Sequence, residues 1–450
     1  MDEFAGAFGD RRRAAAVGRL HDQIVAQSSL VVRKLGVDRG GELSAHRVLS
    51  SAQVTPEESI ACLSRRTAEA VIGRRVVVAQ DTSEVNFPGR QSRGLGPAGR
   101  QGDAPGFFIH AAVAVDAEAD AVLGLADAQI WTRPEAVAIP RRQRAYTEKE
   151  SQRWLSMATT AAERLWQAQQ LIVVGDRESD IYALFARRPA HVQLLIRAAQ
   201  DRGLEDGGLL FAAAEAWPGL GTQTVQIPPR RPGDKGRTAL VTLRAGPVVV
   251  RRPRHGRCEG NPDTLPLTLV EAREMDAPAG VEPLHWRLLT TLEAGTAEQA
   301  AEVVRLYRLR WRIEQTFRML KSHGLNIEQV QTAEPHRLLN LAALAVGAAV
   351  RIIQLVDARD GSSRPATDVA DPDQIAAAAA LCPTLEGRTE RQKNHHPPGS
   401  LAWLSWVVAR LGGWNCYYKP PGPKTMRDGW QRFAAIAEGY TLSRPATHDA

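Results

Sequence analysis

The stretch "LIVVGDRESDIYALFARR", residues 171–188, decides the fold. Its first five residues form an apolar, β-branched run that is too short for a helix and reads as a buried strand. That run stops at Asp176, and a helical pattern opens almost at once in "ESDIYALF". A further strand, "HVQLLIRA" (191–198), comes next. Upstream, "RRVVVAQD" (74–81) has the same form and also ends on an aspartate, Asp81. The runs "GFFIHAAVAVD" (106–116) and "AVLGLADAQIW" (121–131), joined by the acidic turn "AEAD", predict an antiparallel meander with it. A Gly/Arg-rich loop, "GRQSRGLGPAGRQGD" (89–103), separates the first two strands and reads as mobile. Residues 147–170 predict a long helix. The order β-β-β-α-β-α-β describes an α/β domain of RNase H-like element order.

The flanks differ. Residues 1–70 read as helical, and Thr55 followed by Pro56 and two acids is a strong helix start. Residues 200–285 carry short strands broken by proline, glycine and basic clusters, and predict an antiparallel β insertion. "HWRLLTT" (285–291) is one more strand. A helix starts after Thr296 and is expected to continue through residue 321. The apolar stretch 336–356 predicts a core helix, not a membrane span. From 357 the chain becomes a linker and a small helical region, closed by a helical module beginning "SLAWLSWVVARLGGW" at 400. The expected domains are therefore 1–70, 71–356 with its insertion at 200–285, and 357–450.

The formal net charge is +7 and the sequence pI about 9.5, which favours an anionic partner, nucleic acid first. Four cysteines lie far apart without a CxxC pair, which argues against zinc ribbons and redox motifs. No signal-like segment opens the chain, so a cytosolic location is expected.

Asp81 and Asp176 both end buried strands, where an unpaired carboxylate is costly. Clustered carboxylates relieve that cost by holding a hard divalent cation. Capping of the following helix is an equally ordinary use of Asp176. A third acid, Glu314, stands alone among the bases Arg308, Arg310, Arg312, Arg318 and Lys321 in "YRLRWRIEQTFRMLK" (307–321). At about 100° per residue, with Tyr307 at zero, Arg310 falls near ~300°, Glu314 near ~340° and Lys321 near ~320°. These four share one stripe beside an apolar one. Arg305, Arg308 and Arg312 fall on the outer side, where solvation suffices for Arg308 and Arg312. An i,i+4 ion pair accounts for Arg310 and Glu314, but not for Tyr307 and Lys321.

The spacing Y-x2-R-x3-E-x6-K formed by Tyr307, Arg310, Glu314 and Lys321 resembles the YREK signature of the IS-four family of bacterial DDE transposases. "LYRLRWRIEQTF", "DTS" at Asp81, "GDRESDIYALF", "EKES" with Trp154, "HWRLLT" and "GSLAWLSWVVARLGG" are similar, in the same order, to motifs of its transposon-five branch. The resemblance implies an RNase H-like catalytic core with an antiparallel β insertion, flanked by N-terminal and C-terminal α-helical domains for end binding and dimerisation.

It also implies cut-and-paste DNA transposition by a homodimer acting on inverted-repeat transposon ends and target DNA, in the bacterial nucleoid. Asp81, Asp176 and Glu314 would bind two Mg2+ ions, with Mn2+ as substitute. Tyr307, Arg310 and Lys321 would hold backbone phosphates. Trp286 would stack on a flipped base or, alternatively, serve as a core aromatic. Arg197 would contact hairpin DNA. Arg12 and Arg13 match the basic start of the end-binding domain, or form a solvated charge run. Glu178 and Asp180 belong to the same neighbourhood, with helix capping as their plain use. Gln315 stands where the family has a second glutamate, a position that is not a metal ligand. Two other readings remain: a catalytically silent DNA-binding inhibitor, disfavoured by the intact signature, and a nuclease without strand transfer, disfavoured by the dimerisation module.

Overall fold

The structure is a computed structural model of the 450-residue chain. It describes residues 3–89, 94–98, 104–133, 150–227, 236–253, 260–322, 324–332, 334–359, 361–362 and 364–443. The chain forms two compact units. The first comprises Met1–Ile72, Thr82–Ala136 and Arg312–Ala450, and the second Gly73–Asp81 and Val137–Trp311. The strands are β1 (Arg75–Asn86), β2 (Pro97–Ala98), β3 (Ala104–Asp116), β4 (Val122–Trp131), β5 (Gln170–Gly175), β6 (Val192–Arg197), β7 (Gly221–Ile227), β8 (Arg237–Arg251), β9 (Thr264–Glu274) and β10 (His285–Thr290).

In the second unit the strand order is β1-β5-β6-β10-β9-β8-β7. β1, β5 and β6 run parallel, as their near-continuous Val/Ile/Leu runs require when both faces are buried. β10 turns antiparallel against β6, and β9, β8 and β7 continue antiparallel from it. The β insertion is thus present, and it extends the same sheet. Between β5 and β6 the chain makes a 3-10 turn, Arg177–Ser179, and a short helix, Tyr182–Arg187. Gly175 is needed at the turn, because a Cβ there would lie 2.2 Å from Ser179 Oγ.

Asp180 fixes this turn. Its side chain is fully buried and takes Arg202 Nη2 at 2.6 Å. It also accepts the backbone N–H groups of Ala199 at 2.8 Å and Gln200 at 3.0 Å. Asp180 therefore ties the segment after β5 to the segment after β6, a role that helix capping does not describe. Within the insertion, Glu271 on β9 is equally enclosed. It receives His285 Nε2 at 2.7 Å and Arg244 Nη1 at 2.9 Å. Burial by itself raises the pKa of Glu271, yet the His285 and Arg244 hydrogen bonds outweigh it and bring the carboxyl from 4.5 down to about 2.

In the first unit β3 pairs antiparallel with β4, with a register shift at Ala112/Val113. The two-residue β2, in the loop expected to be mobile, pairs with the start of β3; most of that loop lies outside the described residues. The helix Pro335–Ala358 is the core. It is long and apolar enough to cross a bilayer, but 89% of its apolar window is buried inside the protein. It packs against Arg11–Gln27, Arg39–Ser50, Pro56–Leu63, β4, Leu401–Leu411 and Pro423–Ser443. Asn340 on its buried face donates to the Leu49 and Val54 carbonyls. The expected helix start is present: Thr55 Oγ1 accepts from Glu58 N at 3.2 Å.

Three expectations need correction. The helix from Thr296 carries a capping box with Gln299, but it does not run unbroken to 321. It ends at Arg308, and a second helix, Trp311–Lys321, follows. In between, Leu309 and Arg310 donate to the Leu306 and Tyr307 carbonyls, each at 3.1 Å, the tight i→i+3 pattern of a 3-10 turn. Glu314 therefore lies in a first turn, not mid-helix, and a single 100° projection does not carry from Tyr307 to Lys321. Nor is Arg312 merely solvated: it reaches Asp357 at 3.0 Å and the Asp120 carbonyl at 2.8 Å. The 147–170 helix is shorter than expected, Gln152–Arg164, and residues 147–149 lie outside the described residues.

Replacing Arg202 by Ala leaves Asp180 buried without its cation. It should lower stability by about 3–5 kcal/mol, read by urea unfolding, whereas exposed Arg12→Ala should change it by less than about 0.5 kcal/mol. For Glu271 the folded pKa is depressed, so its contribution is complete above pH 4.5 and is lost as pH falls towards 2. A shift of that size corresponds to roughly 3 kcal/mol. Between those pH values the wild type should lose stability more steeply than Glu271→Gln.

Candidate active site

The parallel pairing of β1 with β5 sets the first two acids. Its register runs from Arg75↔Gln170 to Ala79↔Val174. Continued by two residues, the same register brings Asp81 level with Asp176. Asp81 does not end its strand as expected, because β1 continues to Asn86; both carboxylates instead lie at the edge where the parallel pairing with β5 stops. Asp176 also accepts the Glu178 N–H at 2.9 Å, so the capping use read from sequence is real and coexists with its position at the edge. Glu178 is exposed and lies 3.7 Å from Arg153.

Arg310, on the turn after the first signature helix, extends Nη1 to within 3.1 Å of Asp81 Oδ2. Tyr307, one helical turn earlier, is 5% exposed. Burial raises its phenol pKa, opposed by Arg310 and Arg197 and reinforced by Asp176. The phenol thus lies in the field of both Arg310 and Arg197. Arg197 ends β6, and burial lowers its pKa, with Arg177 and Arg310 adding to that direction. Cations gathered this closely repel one another and gain from an anion placed among them.

Trp286 on β10 meets the Tyr307 ring edge-on, with centroids 5.2 Å apart. It opens onto a cavity of about 550 Å³, whose lining includes Arg177, Arg197, Phe211, His285, Trp286 and Arg287. Trp286 is half-buried, so part of its ring faces this space rather than the core. The Arg287 guanidinium lies 4.2 Å above the Phe211 ring. Its Nε is also 3.4 Å from Glu271, which already holds His285. One buried acid thus anchors two side chains of the cavity wall, His285 and Arg287.

The second unit therefore brings together Asp81, Asp176, Tyr307, Arg310, Arg197 and Trp286. The remaining signature residues belong to the first unit. Glu314 occupies the first turn of Trp311–Lys321 and is half-buried. Lys321 Nζ lies 3.4 Å from Glu328. Arg12 is exposed on the Arg11–Gln27 helix, while Arg13 donates to the Phe8 carbonyl.

Among the described residues, no group of three or more His, Cys, Asp or Glu side chains forms a ready metal cluster. The chemistry of the donors nevertheless fits a hard divalent ion. Asp81 and Asp176 offer oxygen at one sheet edge, and Asp81 is already satisfied by a cation, Arg310.

Sequence reasoning missed Arg177, Phe211, Glu271, His285 and Arg287. Two signals were available. Glu271 interrupts an otherwise apolar strand in "LTLVEAR", and an acid there needs buried cationic partners. His285 and Arg287 flank Trp286 directly, on the strand paired with β9 in the register Arg287↔Glu271.

Residues 148–351 match a family model described as the transposase DDE domain. The matched span contains Asp176, Arg197, Trp286, Tyr307, Arg310, Glu314 and Lys321, and Asp81 precedes it on the strand paired with β5. This match, over a domain that carries its carboxylates at one edge of a mixed α/β sheet, supports a DDE-type transposase.

Proposed function

We propose that the protein is a cut-and-paste DNA transposase of the IS-four family with the YREK signature. The observation that carries this reading is the pairing of Asp81 and Asp176 at one sheet edge beside Tyr307, Arg310 and Arg197. Carboxylates and cations in one place suit phosphodiester chemistry: the acids for divalent ions, the bases for the phosphate oxygens.

Asp81, Asp176 and Glu314 would hold Mg2+ or Mn2+. Bound there, a pair of such ions supplies an activated water and charge stabilisation at the leaving oxygen. The chain's own groups supply positioning. Arg310 and Tyr307 orient the scissile phosphate, and Lys321 extends that grip. Arg197 contacts the strand beyond the cut. Trp286 offers a π-face to an unstacked base, which removes strain from a tightly folded DNA end.

The sequence of events follows the family resemblance. Water adds across one phosphodiester and frees a 3′-OH, which attacks the opposite strand and closes a hairpin. A second water opens the hairpin, and the 3′-OH joins target DNA. Each step exchanges one phosphodiester for another or hydrolyses it, so no oxidant or energy donor is required. End recognition is assigned to residues 1–70, including Arg12 and Arg13, and dimerisation to residues 357–450.

The test is incubation of the protein with the inverted-repeat DNA flanking its gene and Mg2+ or Mn2+. Wild type should give nicks and then hairpins. Asp81→Asn, Asp176→Asn and Glu314→Gln should each lower product by roughly a thousandfold, the loss that follows when several kcal/mol of charge stabilisation disappears. Binding of the ends should persist in all three. End binding without any nick by the wild type would instead establish a silent DNA-binding protein. Trp286→Ala should leave the first nick intact and reduce hairpin yield by about tenfold or more, since a stacked base contributes about 1–3 kcal/mol.

A further inference from the structure

The cavity beside Trp286 lies where the sheet loses a strand. β6 pairs with β10 only from Leu288↔Arg197 to Thr290↔Leu195. Ahead of Leu288, that edge of β10 is met by the Ala198 N–H, which donates to the Arg287 carbonyl, and by Arg197 Nη2, which donates to the His285 carbonyl at 3.2 Å. Neighbouring side chains on a strand point to opposite faces. At this gap the cavity reaches both faces, so Trp286 from one and His285 and Arg287 from the other line a single space. Among the described residues, three guanidinium groups line it, those of Arg177, Arg197 and Arg287, with one carboxylate, that of exposed Glu282. At about 550 Å³ it falls within the ~300–1,000 Å³ range of sites that enclose a whole small molecule.

Arg287 is held in place without being used up. Its guanidinium lies over the Phe211 ring, and its Nε is buried 3.4 Å from Glu271 Oε1 without a hydrogen bond. Glu271 makes its closer contacts to His285 at 2.7 Å and Arg244 at 2.9 Å, so its single charge is shared. Arg287 Nη2 meets Glu215 at 3.3 Å, an acid that is 56% exposed. Among the described residues that is the one hydrogen bond of a side chain with five N–H donors.

We propose that Arg287 holds a backbone phosphate of the nucleotide whose base stacks on Trp286, and that Glu271 and Phe211 are positioning residues that aim it. The cavity then takes a whole unpaired nucleotide of DNA, with Arg177 and Arg197 completing its positive wall. The inference rests on the reading of Trp286 as a base receiver, and it adds a phosphate contact on β10, apart from Tyr307 and Arg310. Glu271 is fully enclosed and its carboxyl is brought down to about 2, so it stays charged near neutral pH and steadies the Nε side of Arg287 with or without DNA. The Nη groups remain for a ligand. A surface pair such as Arg287–Glu215 contributes little, whereas a phosphate offers two oxygens in the bidentate geometry that guanidinium prefers.

The experiment uses the full-length protein without divalent ions and a short thymidine strand with 2-aminopurine at its centre, a base whose fluorescence is quenched on stacking against indole. In two companion strands the phosphate on one or the other side of the probe is a neutral methylphosphonate. Wild type should quench the probe, and one of the two methylphosphonates should weaken binding by about tenfold or more, the scale of a charge-assisted hydrogen bond. Arg287→Gln should weaken binding of the all-phosphate strand by a similar factor and should no longer distinguish it from that methylphosphonate strand, because both changes remove one interaction. Arg287→Lys should recover only part of the loss, since it restores the charge without the fork. Glu271→Gln should show a reduced methylphosphonate effect, which a loss of stability alone does not produce; thermal unfolding confirms that each variant is folded. If the methylphosphonates weaken wild type and folded Arg287→Gln equally, or weaken neither, the phosphate contact is overturned. A full methylphosphonate effect in folded Glu271→Gln overturns the positioning role. If Trp286→Ala quenches the probe as wild type does, the base-receiver reading fails instead, and the variant that reports each failure tells them apart.

Discussion

Two strands, β1 and β5, run side by side in the same direction, and the site depends on that pairing. In a parallel pair the apolar runs align, so an acid placed just beyond each run arrives at the same level, Asp81 within β1 and Asp176 after β5. The Val-rich run 76–78 and the run 171–174 are buried among neighbours and cannot slip without exposing them. Register is therefore held by the hydrophobic core, and the two carboxylates inherit it. The Asp180–Arg202 pair and the close approach of Gly175 to Ser179 then fix the turn on which Asp176 stands.

Such an arrangement is electrostatically unstable on its own. Two acids at a partly shielded edge repel each other, and three arginines beside them do the same. Placed together, each group offsets the other, as the Arg310–Asp81 contact shows. The buried Tyr307 phenol lies in the field of Arg310, Arg197 and Asp176, and burial keeps it neutral. The same logic recurs in the cavity wall, where Glu271 collects Arg244, His285 and Arg287. There the acid is sealed away at full burial, whereas Asp81 remains within reach of solvent.

Much of this was legible in the sequence because it is written in local patterns. Short β-branched runs ending in aspartate located β1 and β5, and Thr55 and Thr296 marked helix starts that the structure caps as expected. The antiparallel character of the insertion followed from its broken strands. What escaped depends on partners distant along the chain. Glu271 and Arg287 meet across a strand pair, and Asp180 meets Arg202 across a turn. Arg312 was placed on a solvated face because its acceptor, Asp357, lies in a segment whose packing no local period reveals. The β insertion could be recognised as strands, but its continuation of the β6 edge through β10 could not, because strand order is a property of the assembled sheet.

The break at Leu309 and Arg310 is the most informative departure. No glycine or proline marks it, and "LYRLRWRIEQ" has the composition of an uninterrupted helix. In the structure Arg310 sits on the tight turn that ends one helix and precedes the next, and its Nη1 reaches Asp81 on β1. Glu314 begins the following helix, where its charge is favoured by the N-terminal end of the helix dipole. The turn thus carries the cation to an acid 229 residues away in sequence. A cation carried on such a turn can meet a carboxylate on a distant strand, a contact that no helical period in the sequence encodes.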